Sequence, residues 1–157
     1  MIARVKIMAD WQYGLAIFAA LLLWAVLLWL GAPQPSLDWI VLAPWLFLSL
    51  VIVQPVLEEI VFRGWLQGWL QGWLMKKEWG SHRLLTISVA NILTSIVFVV
   101  MHLFYHAPLM ALLVFVPSLL FGYFRDRYDG WLIPGILLHC FYNMGYFYLY
   151  APALHAQ

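Results

Sequence analysis

Five stretches of this chain, residues 11–31, 39–57, 84–105, 108–124 and 131–150, run without a single Asp, Glu, Lys or Arg. Each is close to the length an α-helix needs to cross a hydrocarbon core of ~30 Å, about 20 residues at ~1.5 Å of rise apiece. A soluble domain of 157 residues would be about 25% charged to solvate its surface. This one is 10% charged and 66% hydrophobic, with a mean hydropathy of +0.89. The expected solvent is therefore lipid. The expected fold is an all-α, polytopic membrane helix bundle of about five transmembrane helices, forming a single integral-membrane domain over residues 1–157. The first stretch is too long for the apolar core of a signal peptide and lacks a clear small-residue cleavage site, so it is expected to stay as a helix. A net charge of +1 leaves no basic surface for a phosphate backbone, which excludes a nucleic-acid partner. The lone Cys140 cannot form an internal disulfide.

Cations near span ends are retained on the cytoplasmic side. Arg4 and Lys6 precede the first stretch, Arg63, Lys76, Lys77 and Arg83 lie between the second and third, and Arg125 and Arg127 lie between the fourth and fifth. The other connections carry none, so five crossings with a cytoplasmic N-terminus satisfy all eight. Trp39 and Trp131 suit interfacial anchors. Pro33, Pro35, Pro108 and Gly130 mark joints.

A short repeat follows the second stretch, with Gly64, Gly68 and Gly72 four apart and Trp65, Trp69 and Trp73 beside them. On a helix the glycines form a ridge that a neighbour can approach closely. The tryptophans, with Lys76 and Lys77, equally suit the headgroup boundary. The segment reads as an interfacial extension of the second helix.

An ionisable group in hydrocarbon costs at least a few kcal/mol on insertion scales, so each one near a span needs a partner or a task. Glu59 and Arg63 are four apart and can neutralise each other on one helix face. Glu58 points about 100° away, and Val61 and Phe62 stand where a helical cation partner would be. In apolar surroundings such a carboxylate is brought toward neutrality and becomes a competent general base. The alternative is an interfacial Glu in water. His139 and Asn143 share a face with Cys140 turned away, and an imidazole plus an amide N–H aimed at one point is what a developing oxyanion requires. The alternative there is a helix-to-helix hydrogen bond. His102, one turn after Phe98, can orient a water or bind a metal.

Taken in order, Glu58-Glu59-x-x-x-Arg63, Phe98-x-x-x-His102 and His139-x-x-x-Asn143 resemble the three motifs of the CAAX protease and bacteriocin-processing (Abi) family of intramembrane glutamic-type proteases. That family includes the endopeptidases that remove the last three residues of prenylated CAAX proteins. The resemblance covers about residues 46–146, the expected catalytic core. It implies cleavage of a peptide bond near the C-terminus, or in a membrane-proximal segment, of a membrane-associated protein or peptide. Glu58 and His102 would activate a water, His139 and Asn143 would form the oxyanion hole, and Glu59, Arg63 and Phe98 would support them. No cofactor is then required. The compact size resembles small prokaryotic members linked to C-terminal sorting helices of exported proteins, which implies a prokaryotic cytoplasmic membrane. Prenylated tails and peptide precursors are equally compatible substrates.

Two alternatives stand beside this reading. Members have also been described as metalloproteases, and Glu58, His102 and His139 are the candidate zinc ligands, with His106 as a further one. The run from His102 to His106 lacks the acid of a His-Glu-x-x-His motif. The other alternative is a non-enzymatic immunity or transport-associated membrane protein whose polar residues only pin helices. The expected spans also raise a geometric problem. Straight helices from the cytoplasmic edges put His139 ~12 Å deep, His102 ~27 Å deep and Glu58 at the edge. To meet, the second helix must continue inward past Arg63, the third must begin after Leu84, or helices must break around a cavity.

Overall fold

The computed structural model describes residues 7–31, 36–77 and 82–151. Arg4, Lys6, Pro33, Pro35 and His155 lie outside the described residues. Helix α1 spans Trp11–Trp29, begun by Asp10, whose side chain accepts from the Gln12 N–H. Next come α2 (Asp38–Leu42) and α3 (Pro44–Met75). A hairpin pairs β1 (Arg83–Leu84) with β2 (Ile87–Ser88), followed by α4 (Val89–His102), α5 (Pro108–Arg127) and α6 (Ile133–Leu149). Helices α1, α3 and α5 are long and apolar enough to cross a membrane, and α4 and α6 are shorter. The bundle is all-α, as the uncharged stretches require, but several boundaries differ from the hydropathy reading.

The second expected span ends at residue 57, whereas α3 runs on to Met75, about 48 Å of helix and more than an upright crossing needs. Arg63 is therefore no loop cation marking a membrane side. It lies inside the helix with no exposure. The third expected span begins at Leu84, but the hairpin occupies residues 83–88 and α4 starts only where the Ser88 side chain caps it by accepting from the Asn91 N–H.

Helix α3 is not uniformly α-helical. It widens to hydrogen bonds reaching five residues back over Leu48–Val53 and again over Glu59–Leu66. Pro55 follows the first widened stretch, where its missing N–H and its ring disturb the preceding turn. Widening raises the residues per turn above about 3.6, so side chains four apart hold a common face instead of drifting round the helix. Glu59, Arg63, Gln67 and Gln71 form such a polar stripe in an otherwise apolar segment.

The chain divides into two compact units. One is Leu57–Ile136, and the other joins described residues 7–56 to 137–151. The first unit buries a band of polar side chains beside Phe98, Phe121 and Phe124 and leaves large apolar ones outside. Glu59, Arg63, Gln67, Asn91, Thr94, Ser95 and Ser118 are fully buried, while Trp65, Trp69, Leu112 and Val116 are exposed. Buried polar groups under an apolar exterior fit lipid as the solvent, because interhelical hydrogen bonds and close packing hold such helices together.

In the second unit α1 presents a buried stripe of Tyr13, Ala16 and Ala20. The Tyr142 hydroxyl donates to the Ala16 carbonyl at 2.9 Å, and Trp24 packs on Phe141 with ring centroids 4.9 Å apart. A Cβ on Gly145 would overlap the Trp24 ring. Trp39, expected at the membrane interface, is 3% exposed and packs between Phe47 and Phe147.

Candidate active site

Five of the seven candidate residues, Glu58, Glu59, Arg63, Phe98 and His102, lie in the first unit. The remaining two, His139 and Asn143, lie in the second.

In the first unit, α3 and α4 pack antiparallel. Gln67 and Ser88 both bond Asp126, and nearer the opposite ends Phe62 packs edge-on against Phe98 with centroids 4.9 Å apart. Glu58 lies one turn before Phe62, and His102 one turn after Phe98. Their register sets Glu58 and His102 at one level, and both are half-buried. Counted from the helix ends near the hairpin, Glu58 is about 25 Å along α3 and His102 about 20 Å along α4. Two of the routes open to the sequence reading are thus taken together: α3 continues past Arg63, and α4 starts late.

His102 is held in a defined way. Its Nδ1 lies 2.9 Å from the Phe98 carbonyl, which can only accept, so the proton sits on Nδ1. In the neutral ring, Nε2 is then the basic nitrogen. The Phe98 ring lies against the imidazole at a tilt, with centroids 4.3 Å apart, and the His106 ring stacks nearby at 5.6 Å.

Glu59 and Arg63 meet as their spacing predicts, with Arg63 Nε 3.7 Å from Glu59 Oε2 and both side chains buried. Arg63 Nη2 also donates to the Ser118 carbonyl at 2.9 Å and to the Ser118 hydroxyl at 2.6 Å. Its Cζ lies 5.6 Å from the centre of the Phe98 ring. On the other side, a Cβ on Gly135 would lie 3.0 Å from Glu59 Oε2, a tight approach that glycine relieves.

The stripe continues away from the site. Gln67 donates to the Gly122 carbonyl at 3.2 Å and to Asp126 at 2.9 Å, and Arg125 bonds Gln71 and Asp126. Asn91 donates to the Leu119 carbonyl at 2.9 Å and accepts from Ser95. Asp126 thereby ties α3, α4 and α5 together at the end where Lys76, Lys77, Arg83 and Arg127 are found. The sequence reading missed Ser118, Asn91 and Asp126. The available signal was the four-residue polar spacing from Glu59 to Gln71, which marks a buried face. The glycine ridge is only partly used: the nearest atoms to a Cβ at Gly64 and Gly68 would be Leu132 and Arg125, and Gly72 has open space.

In the second unit His139 is buried at 5% exposure. Asn143 Nδ2 donates to the Leu50 carbonyl at 3.0 Å. The cause lies in the first widened stretch of α3. Gln54 N–H reaches back to Ser49, and in that register the donor for Leu50 would be residue 55, a proline without an N–H. Asn143 supplies the missing bond, which is a helix-pinning role. Its amide carries a second N–H.

Among the described residues, no three His, Cys, Asp or Glu side chains gather into a group that could hold a metal ion.

Residues 39–145 match the family described as Type II CAAX prenyl endopeptidase Rce1-like. No curated protein and no solved structure matches the chain.

Proposed function

The chain belongs to the Rce1-like family of type II CAAX prenyl endopeptidases, and from that premise we propose that it hydrolyses a peptide bond of a membrane-associated substrate with glutamate-activated water. The observation that supports this most is the antiparallel register of α3 and α4, which levels a half-buried carboxylate with an imidazole of defined tautomer. His102 Nε2 and the Glu58 carboxylate hold one water between them. Glu58 takes a proton from it as the oxygen attacks the scissile carbonyl carbon. The carbonyl π electrons move onto oxygen, and the family resemblance assigns the role of oxyanion donors to His139 and to the second N–H of Asn143. Glu58 then returns its proton to the departing amide nitrogen, the C–N bond breaks, and the two peptide ends leave. Glu59 and Arg63 act on the scaffold, keeping α3 continuous through the level of the site.

The substrate is a C-terminal or membrane-proximal segment of a membrane-associated protein. The chain sits in a prokaryotic cytoplasmic membrane with its N-terminus in the cytoplasm. The test uses the purified full chain in lipid vesicles with two probes, a farnesylated peptide ending in a CAAX tail and a peptide carrying a C-terminal apolar sorting helix. Glu58→Gln and His139→Ala are expected to lower hydrolysis by about 10²–10⁴-fold, with unchanged insertion and melting. Full hydrolysis by Glu58→Gln refutes the glutamate mechanism.

A further inference from the structure

Asp126 draws the ends of three elements of the first unit to one place, and the cations on those ends come with them. It accepts from Gln67 of α3 at 2.9 Å, from Ser88 of the hairpin at 2.6 Å and from Arg125 at 2.9 Å. Arg83 is the cross-strand partner of Ser88, and Arg127 follows Asp126. Lys76 and Lys77 follow α3 just past Gln71, which Arg125 bonds. The Asp126 side chain is only 3% exposed, so its charge is directed inward, whereas Lys76, Lys77, Arg83 and Arg127 are all exposed. Against these four stand the exposed Asp129 and, outside the described residues, Glu78. The outward-facing charge at this end is therefore positive.

Apolar groups lie among these cations. Trp69 and Trp73 face outward from the last turns of α3, and the Lys77 ammonium stands 4.6 Å from the centre of the Trp73 ring. At the turn of the hairpin, directly after Arg83, Leu84 and Leu85 are 68% and 91% exposed. Helix α3 is longer than an upright crossing needs, so its end reaches the depth of the headgroups, where tryptophan is favoured. We infer that this face, made by the end of α3, the hairpin and the end of α5, docks the headgroup of an anionic phospholipid. The cations meet its phosphate, and the indoles and leucines lie against its acyl chains. The occupant follows from charge and depth together. A soluble anion matches the cations but leaves the tryptophans and leucines in water. A zwitterionic lipid covers those side chains but brings no net charge. A lipid of net negative charge does both, and each Lys or Arg near such a surface favours it by about fivefold. The inference stands independently of hydrolysis, since none of these residues belongs to the proposed machinery.

The full chain, purified in a neutral detergent, is titrated with phosphatidylglycerol and with phosphatidylcholine of the same acyl chains, and bound lipid is counted by native mass spectrometry. Phosphatidylglycerol is expected to bind about tenfold more tightly or better, as an excess of exposed cations implies. Lys76→Gln with Lys77→Gln, and separately Arg83→Gln with Arg127→Gln, are each expected to lower its affinity about fivefold or more. Phosphatidylcholine affinity stays within about twofold in both, since it carries no net charge for these cations to meet. Lys76→Arg with Lys77→Arg keeps the preference, which ties the loss to charge. Inorganic phosphate in excess is expected not to displace the lipid. Equal affinity of the wild type for the two lipids overturns the inference. So does a preference that survives both glutamine pairs, which places the anionic lipid elsewhere on the chain. Displacement by inorganic phosphate also overturns it, because the face is then a site for soluble anions. All four positions are exposed, and thermal melts check that the variants fold; should either pair unfold the chain, Lys77→Gln and Arg127→Gln alone carry the same comparison.

Discussion

The bond from Asn143 to Leu50 offers a direct test of why a polar residue sits there. In the register by which Gln54 N–H reaches Ser49, the donor for the Leu50 carbonyl would be residue 55, a proline with no N–H. Removing the amide with Asn143→Ala orphans that carbonyl. A buried, unsatisfied acceptor costs about 1–3 kcal/mol. Interhelical hydrogen bonds in membranes average nearer ~0.6 kcal/mol, with a maximum around ~1.7. Leu50 and Asn143 are only half-buried, so about 1 kcal/mol is expected, roughly fivefold in the folded-to-unfolded ratio. Pro55→Ala returns an N–H in the register that reaches Leu50. In that background the cost of Asn143→Ala is expected to fall to about a third, giving a coupling energy of roughly 0.7 kcal/mol. The assay is a double-mutant cycle on reversible unfolding of the full chain by SDS in mixed micelles, followed by tryptophan fluorescence. Equal costs of Asn143→Ala in the two backgrounds refute the reasoning that proline created the need for asparagine. Hydrolysis measured on the same four proteins separates stability from chemistry: the Pro55→Ala background rescues folding but not an oxyanion donor.

Three further outcomes follow from the same geometry. Gly122→Ala is expected to destabilise the chain strongly, because a Cβ there overlaps the Asn91 carboxamide and crowds Gln67. Gly145→Ala does so through the Trp24 ring, whereas Gly72→Ala, with open space around it, is expected to be neutral or to gain up to about 1 kcal/mol. Thermal melts in one detergent rank the three, and a Gly72→Ala loss as large as that of Gly122→Ala contradicts the packing described. Arg63→Ala leaves Glu59 buried without its cation and is expected to cost about 3–5 kcal/mol, while Arg63→Met with Glu59→Leu recovers much of that; the same melts check it, and an additive double variant refutes it. Chelation with 1,10-phenanthroline is expected to leave hydrolysis of the farnesylated peptide unchanged, and loss of activity restored by zinc identifies the metal-dependent alternative instead.

How far the sequence reaches is clear from particular residues. Uncharged stretches of membrane-spanning length establish lipid as the solvent, since no other environment covers so much apolar surface. Four-residue spacings pair Glu59 with Arg63 and Phe98 with His102, because neighbours one turn apart on a helix are local in sequence. Both statements depend on composition and on the period of a helix. They need no knowledge of what the helix packs against.

The tertiary structure decides everything that depends on a distant partner. Arg63 looks like the end of a span until Ser118, on α5, lends it a hydroxyl and a carbonyl and allows α3 to run on to Met75. The start of α4 at Val89 depends on the hairpin before it and on Asp126 receiving Ser88. The polar stripe from Glu59 to Gln71 becomes a core because α5 offers Ser118, the Gly122 carbonyl and Asp126 at matching heights. Asn143 acquires its bond from a proline in another helix. Hydropathy and periodicity record each helix's own solvent and turn. They carry no record of which backbone carbonyl, far along the chain, has been left without a donor.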